Sequence, residues 1–146
     1  MAGPCTVTSD VLIAAPPLAV WTILLDFPRY PDWNPFIRRI DGPPEPGARL
    51  GFVFRIHPGL TLSAEGRLHR LEEARALSWT GHAGDPRLLS VEHWFTLDPH
   101  GAGTRLVQGE NFVGAGASGW TYLFARLLRR AYDDMNQALK ALAEAR

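Results

Sequence analysis

Hydrophobic and polar positions change their period along the chain, and each change marks an element. Thr6 to Ile13 is rich in β-branched residues and runs into Ala14-Ala15-Pro16-Pro17, which reads as a strand feeding a helix. Proline is tolerated in a first helical turn because its missing N–H would be unpaired there anyway. Leu18 to Leu25 is apolar almost all round, as expected of a helix buried on more than one side, and it stops at Phe27-Pro28. Arg29 to Pro35 holds two further prolines and predicts a tight turn or one short helical turn. Asp41-Gly-Pro-Pro-Glu-Pro-Gly47 is a loop by composition.

From Ala48 to Val113 the period is two. Leu50, Phe52, Phe54 and Ile56 alternate with Arg49, Gly51, Val53 and Arg55 before a turn at His57-Pro58-Gly59. Leu60, Leu62, Ala64, Gly66 and Leu68 form the next one-sided set, Leu77 and Trp79 mark a short strand, and Leu89, Val91, His93, Phe95 and Leu97 form another. A hairpin at Asp98 to Gly103 then leads into Thr104 to Val113. With the first strand and a short one near Phe36 to Ile40, seven strands are predicted, and one wet face per strand fits antiparallel pairing. From Gly119 onward Trp120, Phe124, Leu127, Leu128, Ala131, Met135, Ala138 and Leu142 recur at steps of three and four, predicting one long amphipathic helix over residues 119–143. A sheet against a long helix is an α+β layer architecture.

Composition narrows the class. The 146 residues, 46% of them hydrophobic, are enough for one domain spanning 1–146 with a real core. Fifteen basic and fifteen acidic side chains give net charge zero, which argues against a nucleic-acid partner held by a basic face. The single cysteine, Cys5, excludes an internal disulfide and suits a reducing compartment. Apolar runs fall short of a membrane span, and Met1 to Asp10 lacks the character of a leader. A cytoplasmic location is therefore expected. Histidines 57, 69, 82 and 100 have no metal-binding spacing, so neither metal nor cofactor is expected. No Gly-x-Ser-x-Gly elbow is present to start a hydrolase triad.

The order of elements, with specific residues, resembles the START-like (SRPBCC) superfamily of the helix-grip fold. The matching residues are Ile13-Ala14-Ala15-Pro16-Pro17 with Val20-Trp21, then Tyr30-Pro31-Asp32-Trp33-Asn34-Pro35-Phe36. Others are Leu77-Ser78-Trp79, His93-Trp94-Phe95-Thr96-Leu97, Gly103-Thr104-Arg105-Leu106 and Met135-Asn136-Gln137-Ala138-Leu139-Lys140. Within the superfamily the chain is most similar to bacterial proteins of the polyketide cyclase/dehydrase-like branch. That resemblance implies a curved seven-stranded antiparallel sheet wrapped around the C-terminal helix, with two short helices after the first strand. It also implies a cavity for a hydrophobic small molecule, aromatic or polyketide-like, in a monomer or homodimer. The residues then expected around the ligand are Trp33, Phe36, Leu50, Phe52, Phe54, Trp79, Val91, Phe95, Gln108, Phe112, Tyr122 and Phe124. Trp79, inside an ordinary strand pattern, also reads as plain core.

Polar residues on the apolar strand faces are the informative ones: His93, Gln108 and Glu110. Because the hairpin turn lies between residues 97 and 104, either plausible register sets His93 opposite Gln108 or Glu110. Such a pair admits two readings. The groups satisfy each other in a packed core, or they act as general acid and base near neutral pH. Gly109 to Ala117 ends in a glycine-alanine stretch that reads as a flexible lid before the last helix, and Asn34 reads as the cap of its local turn. Three functions follow as alternatives: cyclisation and dehydration of a poly-β-ketone with His93 and Glu110 moving the proton, a non-catalytic lipid or hydrophobic-ligand carrier, or a co-chaperone-like interaction module using the outer sheet face around Trp94.

Overall fold

The computed structural model describes residues 5–146. Residues 1–4, the start of the segment read above as lacking a leader, lie outside them. In chain order the elements are β1 (Thr6–Ile13), α1 (Pro17–Leu25), a 3-10 turn (Phe27–Arg29), α2 (Tyr30–Trp33), β2 (Ile37–Asp41), β3 (Arg49–His57), β4 (Leu60–Glu72), β5 (Ala76–His82), β6 (Ser90–His100), β7 (Gly103–Val113) and α3 (Ala117–Glu144). Seven strands form one antiparallel sheet in the order β1-β7-β6-β5-β4-β3-β2. The run from β2 to β7 is a meander, while β1 pairs at the far edge. The segment holding α1 and α2 therefore carries the chain from one edge of the sheet to the other. The expected α+β helix-grip arrangement is present: a curled sheet around a long C-terminal helix, with short helices after the first strand.

Curling has a local cause at Gly66, where a Cβ would collide with the carbonyl oxygen of Thr80 on the next strand. No side chain fits that approach, so glycine is required where β4 meets β5. Two polar side chains pin the α1–β2 crossover. Tyr30 donates its hydroxyl to the Leu24 carbonyl at 2.7 Å, and Asn34 Oδ1 accepts from the backbone N–H of both Phe36 and Ile37 at 2.9 Å. Asn34 is thus the expected cap, wholly buried.

Three expectations need correction. The stretch read as a lid is a short tied connection of residues 114–116, because β7 keeps its ladder to Val113, α3 begins at Ala117, and the amides of Ala115 and Gly116 donate to the carbonyls of Arg87 and Leu88. Trp94 needs no second subunit to cover it: Gly109 leaves room for the indole, a Cβ there lying 2.7 Å from Trp94 Cζ2, and Trp94 Nε1 donates to Asn111 Oδ1 at 3.3 Å. It is half-buried, its ring held over Gly109 within its own sheet. The helix face is also rotated from the expected stripe. Leu128, Ala131, Tyr132, Met135, Asn136, Leu139 and Ala143 are buried, while Trp120, Phe124, Leu127 and Leu142 are only partly so. The rotation follows from docking, since α3 lies mainly across β1 and turns two polar residues, Tyr132 and Asn136, into the core.

Candidate functional site

An apolar cavity of about 180 Å³ lies between the sheet and α3. Its walls come from alternate residues of neighbouring strands: Phe54 and Ile56 of β3, Leu62 and Ala64 of β4, Val91 of β6 and Phe112 of β7. Phe36 enters from the α2–β2 connection, and Trp120 and Leu128 from α3, eight residues apart on the same side. Two ionisable side chains reach the wall, Glu110 and His82, and Glu110 is the only carboxylate. His82 lies at the end of β5, within 3.9 Å of Glu65. A cavity of about 150 Å³ holds one benzene ring, so this one has room for a single ring and its substituents. Phe36 and Ile56 also border a surface groove of about 550 Å³ that carries Arg38, Arg55 and Arg130.

Of the residues expected around a ligand, Phe36, Phe54, Val91 and Phe112 line this cavity. Leu50, Phe52, Trp79, Phe95 and Gln108 are buried but stand outside its wall. Trp79 packs instead on Phe27, Phe52, His93 and Phe95, as a core residue. Trp33 lies against Tyr30, and Phe124 leans on Trp120 with ring centroids 4.4 Å apart and planes tilted by 41°. Tyr122 is misplaced by the sequence reading. It is 88% exposed, because two helical steps from Trp120 turn it through roughly 200° to the outside.

His93 and Glu110 are directly opposite in the β6–β7 register, as Leu97 is to Leu106. His93 is fully buried and Glu110 is 4% exposed. The imidazole stacks on Phe95 at 4.7 Å and lies against Trp79, Phe36 and Tyr132. Its Nε2 is 2.9 Å from Gln108 Oε1, while Nδ1 faces Glu110 Oε2 at 3.5 Å and has no other partner. That spacing is electrostatic contact without a formed hydrogen bond. The other carboxylate oxygen, Oε1, accepts a 2.5 Å hydrogen bond from the Tyr132 hydroxyl. Burial, the Glu110 charge and this bond together hold the Tyr132 phenol well above its ordinary pKa. Glu110 is therefore the group at the cavity wall, and His93 stands behind it.

The polar cluster continues beyond these three. Gln108 Nε2 donates to Asn136 Oδ1 at 2.5 Å, Asn136 Nδ2 donates to Ser9 Oγ at 2.9 Å, and Ser9 donates to Asp133 on the exposed side of α3. Tyr132, Asn136 and Ser9 were not singled out in the sequence, although the signal is there. Leu128, Tyr132, Asn136 and Leu139 follow helical spacing, and Ser9 falls between Val7 and Val11 on the inward face of β1. Among the described residues no three His, Cys, Asp or Glu side chains converge to hold a metal, and no helix is long and apolar enough to cross a membrane.

A family model described as polyketide cyclase/dehydrase and lipid transport matches residues 4–144. No curated protein matches the chain. Solved structures of the same fold include the Zhui aromatase/cyclase from Streptomyces sp. R1128, 20% identical over 97% of this chain and 94% of that one, with a TM-score of 0.75. A Thermus thermophilus protein, TTHA0849, is 16% identical, covering 96% and 97%, at a TM-score of 0.76. Ara h 8.0201 is 15% identical, covering 97% and 98%, at 0.73.

Proposed function

The chain belongs to the polyketide cyclase/dehydrase and lipid transport family, and from that premise we propose that it binds a small aromatic or polyketide-like molecule between the sheet and α3 and moves protons on it through Glu110. One observation carries the reading: a single carboxylate stands in a wall that is apolar apart from His82, with a buried histidine behind it. A carboxyl beside an imidazole can both take and return a proton near neutral pH. The reaction is an aldol cyclisation with loss of water. The Glu110 carboxylate takes a proton from the terminal carbon beside a carbonyl, and the resulting enolate attacks the carbonyl five carbons further along the chain to close a six-membered ring. The alkoxide recovers that proton. A second deprotonation at the same carbon then expels hydroxide, which leaves as water with the proton from Glu110. Confinement near reacting geometry supplies much of the rate without a nucleophile.

The cavity volume selects the probe. Heptane-2,4,6-trione closes to 5-methylresorcinol by losing one water, and both are single-ring in size. Binding is read from the fluorescence of Trp120, which lines the cavity. Glu110→Gln and His93→Gln are expected to retain binding and to lose turnover by roughly 10² to 10⁴-fold. Unchanged turnover in both variants would overturn the proton-transfer role. The carrier reading shares the same apolar walls and predicts uptake of the trione with no conversion by the unmodified protein.

A further inference from the structure

We propose that Asp133, a surface residue with no place in the cavity wall, fixes the direction of hydrogen bonding through the core and thereby sets which nitrogen of His93 carries its proton. The inference rests on the reading of Glu110 and His93 as the proton-transfer pair, and it makes Asp133 a positioning residue for that pair. Donor and acceptor chemistry alone leads there. A carboxylate only accepts, so the Ser9 hydroxyl gives its one proton to Asp133. The Ser9 oxygen is then free only to accept, and Asn136 must present Nδ2 to it, at 2.9 Å. That turns Asn136 Oδ1 toward Gln108, which must offer Nε2, at 2.5 Å; the Tyr132 carbonyl lies at 3.5 Å from the same nitrogen, too far to orient the amide by itself. Gln108 Oε1 in turn faces His93 Nε2 at 2.9 Å and requires an N–H there. The two ends of each amide differ chemically, so no link reverses by itself.

Nδ1 of His93 is consequently left as the end that exchanges a proton with Glu110 Oε2, 3.5 Å away. With Nε2 protonated, two arrangements avoid facing like groups: an imidazolium N–H toward a carboxylate, or a bare Nδ1 toward a protonated carboxyl. Both contain one proton between the two residues. Tyr132 holds the remaining oxygen of Glu110 by donating to it, which leaves Oε2 as the exchanging atom. The charged groups around the two ends of the chain are few. Glu110 and Tyr132 face His93, while Asp133 shares a shallow surface depression with Arg129 of its own helix and with Asp10 of β1 and Arg105 of β7, which pair with each other at 3.2 Å.

The test is the tautomer of His93, read by long-range nitrogen–proton NMR correlations of the imidazole in the full chain without ligand. The unmodified protein is expected to show Nε2 protonated at neutral pH. In Asp133→Lys an ammonium, which only donates, replaces the acceptor. Ser9 must then donate inward, Asn136 and Gln108 turn over, and Gln108 offers Nε2 to a bare His93 Nε2, so the ring proton moves to Nδ1. Ser9→Ala breaks the chain without adding charge and is expected to give a mixture of the two forms. Asp133→Glu keeps an acceptor and is expected to retain the Nε2 form. Far-ultraviolet circular dichroism checks that each variant is folded. The same tautomer in Asp133→Lys, Ser9→Ala and the unmodified protein would overturn the proposal, as would a ring protonated at Nδ1 with a bare Nε2 in the unmodified protein. Because no ligand is present, this result is separate from the fate of the proposed function. A moved tautomer together with full turnover in Glu110→Gln would retain the role of Asp133 in the core and discard the chemistry at Glu110.

Discussion

Leu127 and Leu128 are adjacent in sequence and differ in what lies beyond them, so truncating each to alanine measures how α3 is docked. Leu128 is 2% exposed and forms part of the cavity wall, whereas Leu127 is partly buried beside the open surface groove. Leu128→Ala removes three carbon groups from a buried apolar site, about 2.4 kcal/mol at roughly 0.8 kcal/mol each. The space released merges with an existing cavity and cannot collapse around a small side chain, which adds about 1 to 2 kcal/mol and gives a total near the middle of the range for buried leucines. Leu127→Ala exposes a groove that water already fills, so only part of the transfer contribution is lost, about 1 to 2 kcal/mol. The expected difference is about 2 kcal/mol. Denaturant unfolding of the pair with a common m-value reads it directly, and for a chain of this size it corresponds to a separation of about 4 to 8 °C in Tm. Enlarging the cavity also favours larger ligands, so Leu128→Ala should gain affinity for a naphthol relative to a phenol. Equal losses from the two variants, or a larger loss at Leu127, would refute the docking of α3 and with it the position of the cavity.

Other perturbations test the parts around the cavity. Asn34→Ala strands the Phe36 and Ile37 amides, each costing about 1 to 3 kcal/mol when left unpaired in the interior, and denaturant unfolding should record the loss. Burial and the neighbouring Asp26 raise the Tyr30 phenol, as burial and Glu110 raise that of Tyr132. A raised folded pKa means stability fully present below the ordinary tyrosine range and lost above it, so unfolding should set in as pH rises past about 10. Tyr132→Phe should shift that onset upward, and an unchanged alkaline profile would contradict the burial of its hydroxyl. Glu144 accepts from Lys140 and from the Ala14 backbone N–H, which lower its pKa and tie the end of α3 to the β1–α1 corner. With the folded pKa depressed, the tie holds above the ordinary carboxylate range and loosens as pH falls through the lowered value. Amide exchange protection at Ala14 should fall with it, and Glu144→Gln should flatten that dependence.

Strand alternation carries one-dimensional information, and it was enough for the sheet. Leu97 and the start of the next strand flank a short turn, which left two registers, His93 opposite Gln108 or opposite Glu110, and the structure has the second. The helix was harder because a period of 3.6 tolerates rotation of the buried face. Reading only apolar residues selected Trp120, Phe124 and Leu127 and passed over Tyr132 and Asn136, whose polar atoms are satisfied only by partners on β1 and β7. The same limit explains the ligand wall. Inward-facing strand positions at the open end, Phe54 and Val91, reach the cavity, while Phe52 and Phe95 face the same way but are filled over by Trp79 and the crossover. Which inward residues meet a void and which meet a neighbour depends on side-chain volume across strands distant in sequence. Trp94 was misread for a related reason: its cover is a missing side chain, at Gly109.

In the proposed function a small ring binds between sheet and helix with its oxygen at Glu110. Intermolecular nuclear Overhauser effects from a bound 5-methylresorcinol test it most directly, using methyl-labelled protein with and without Glu110→Gln. Contacts are expected from the ring to the methyls of Ile56, Leu62, Val91 and Leu128, together with a shift of the Glu110 carboxyl carbon on binding. Contacts confined to the exposed Leu88, Val113 and Leu123, with the cavity methyls unmoved, would contradict it.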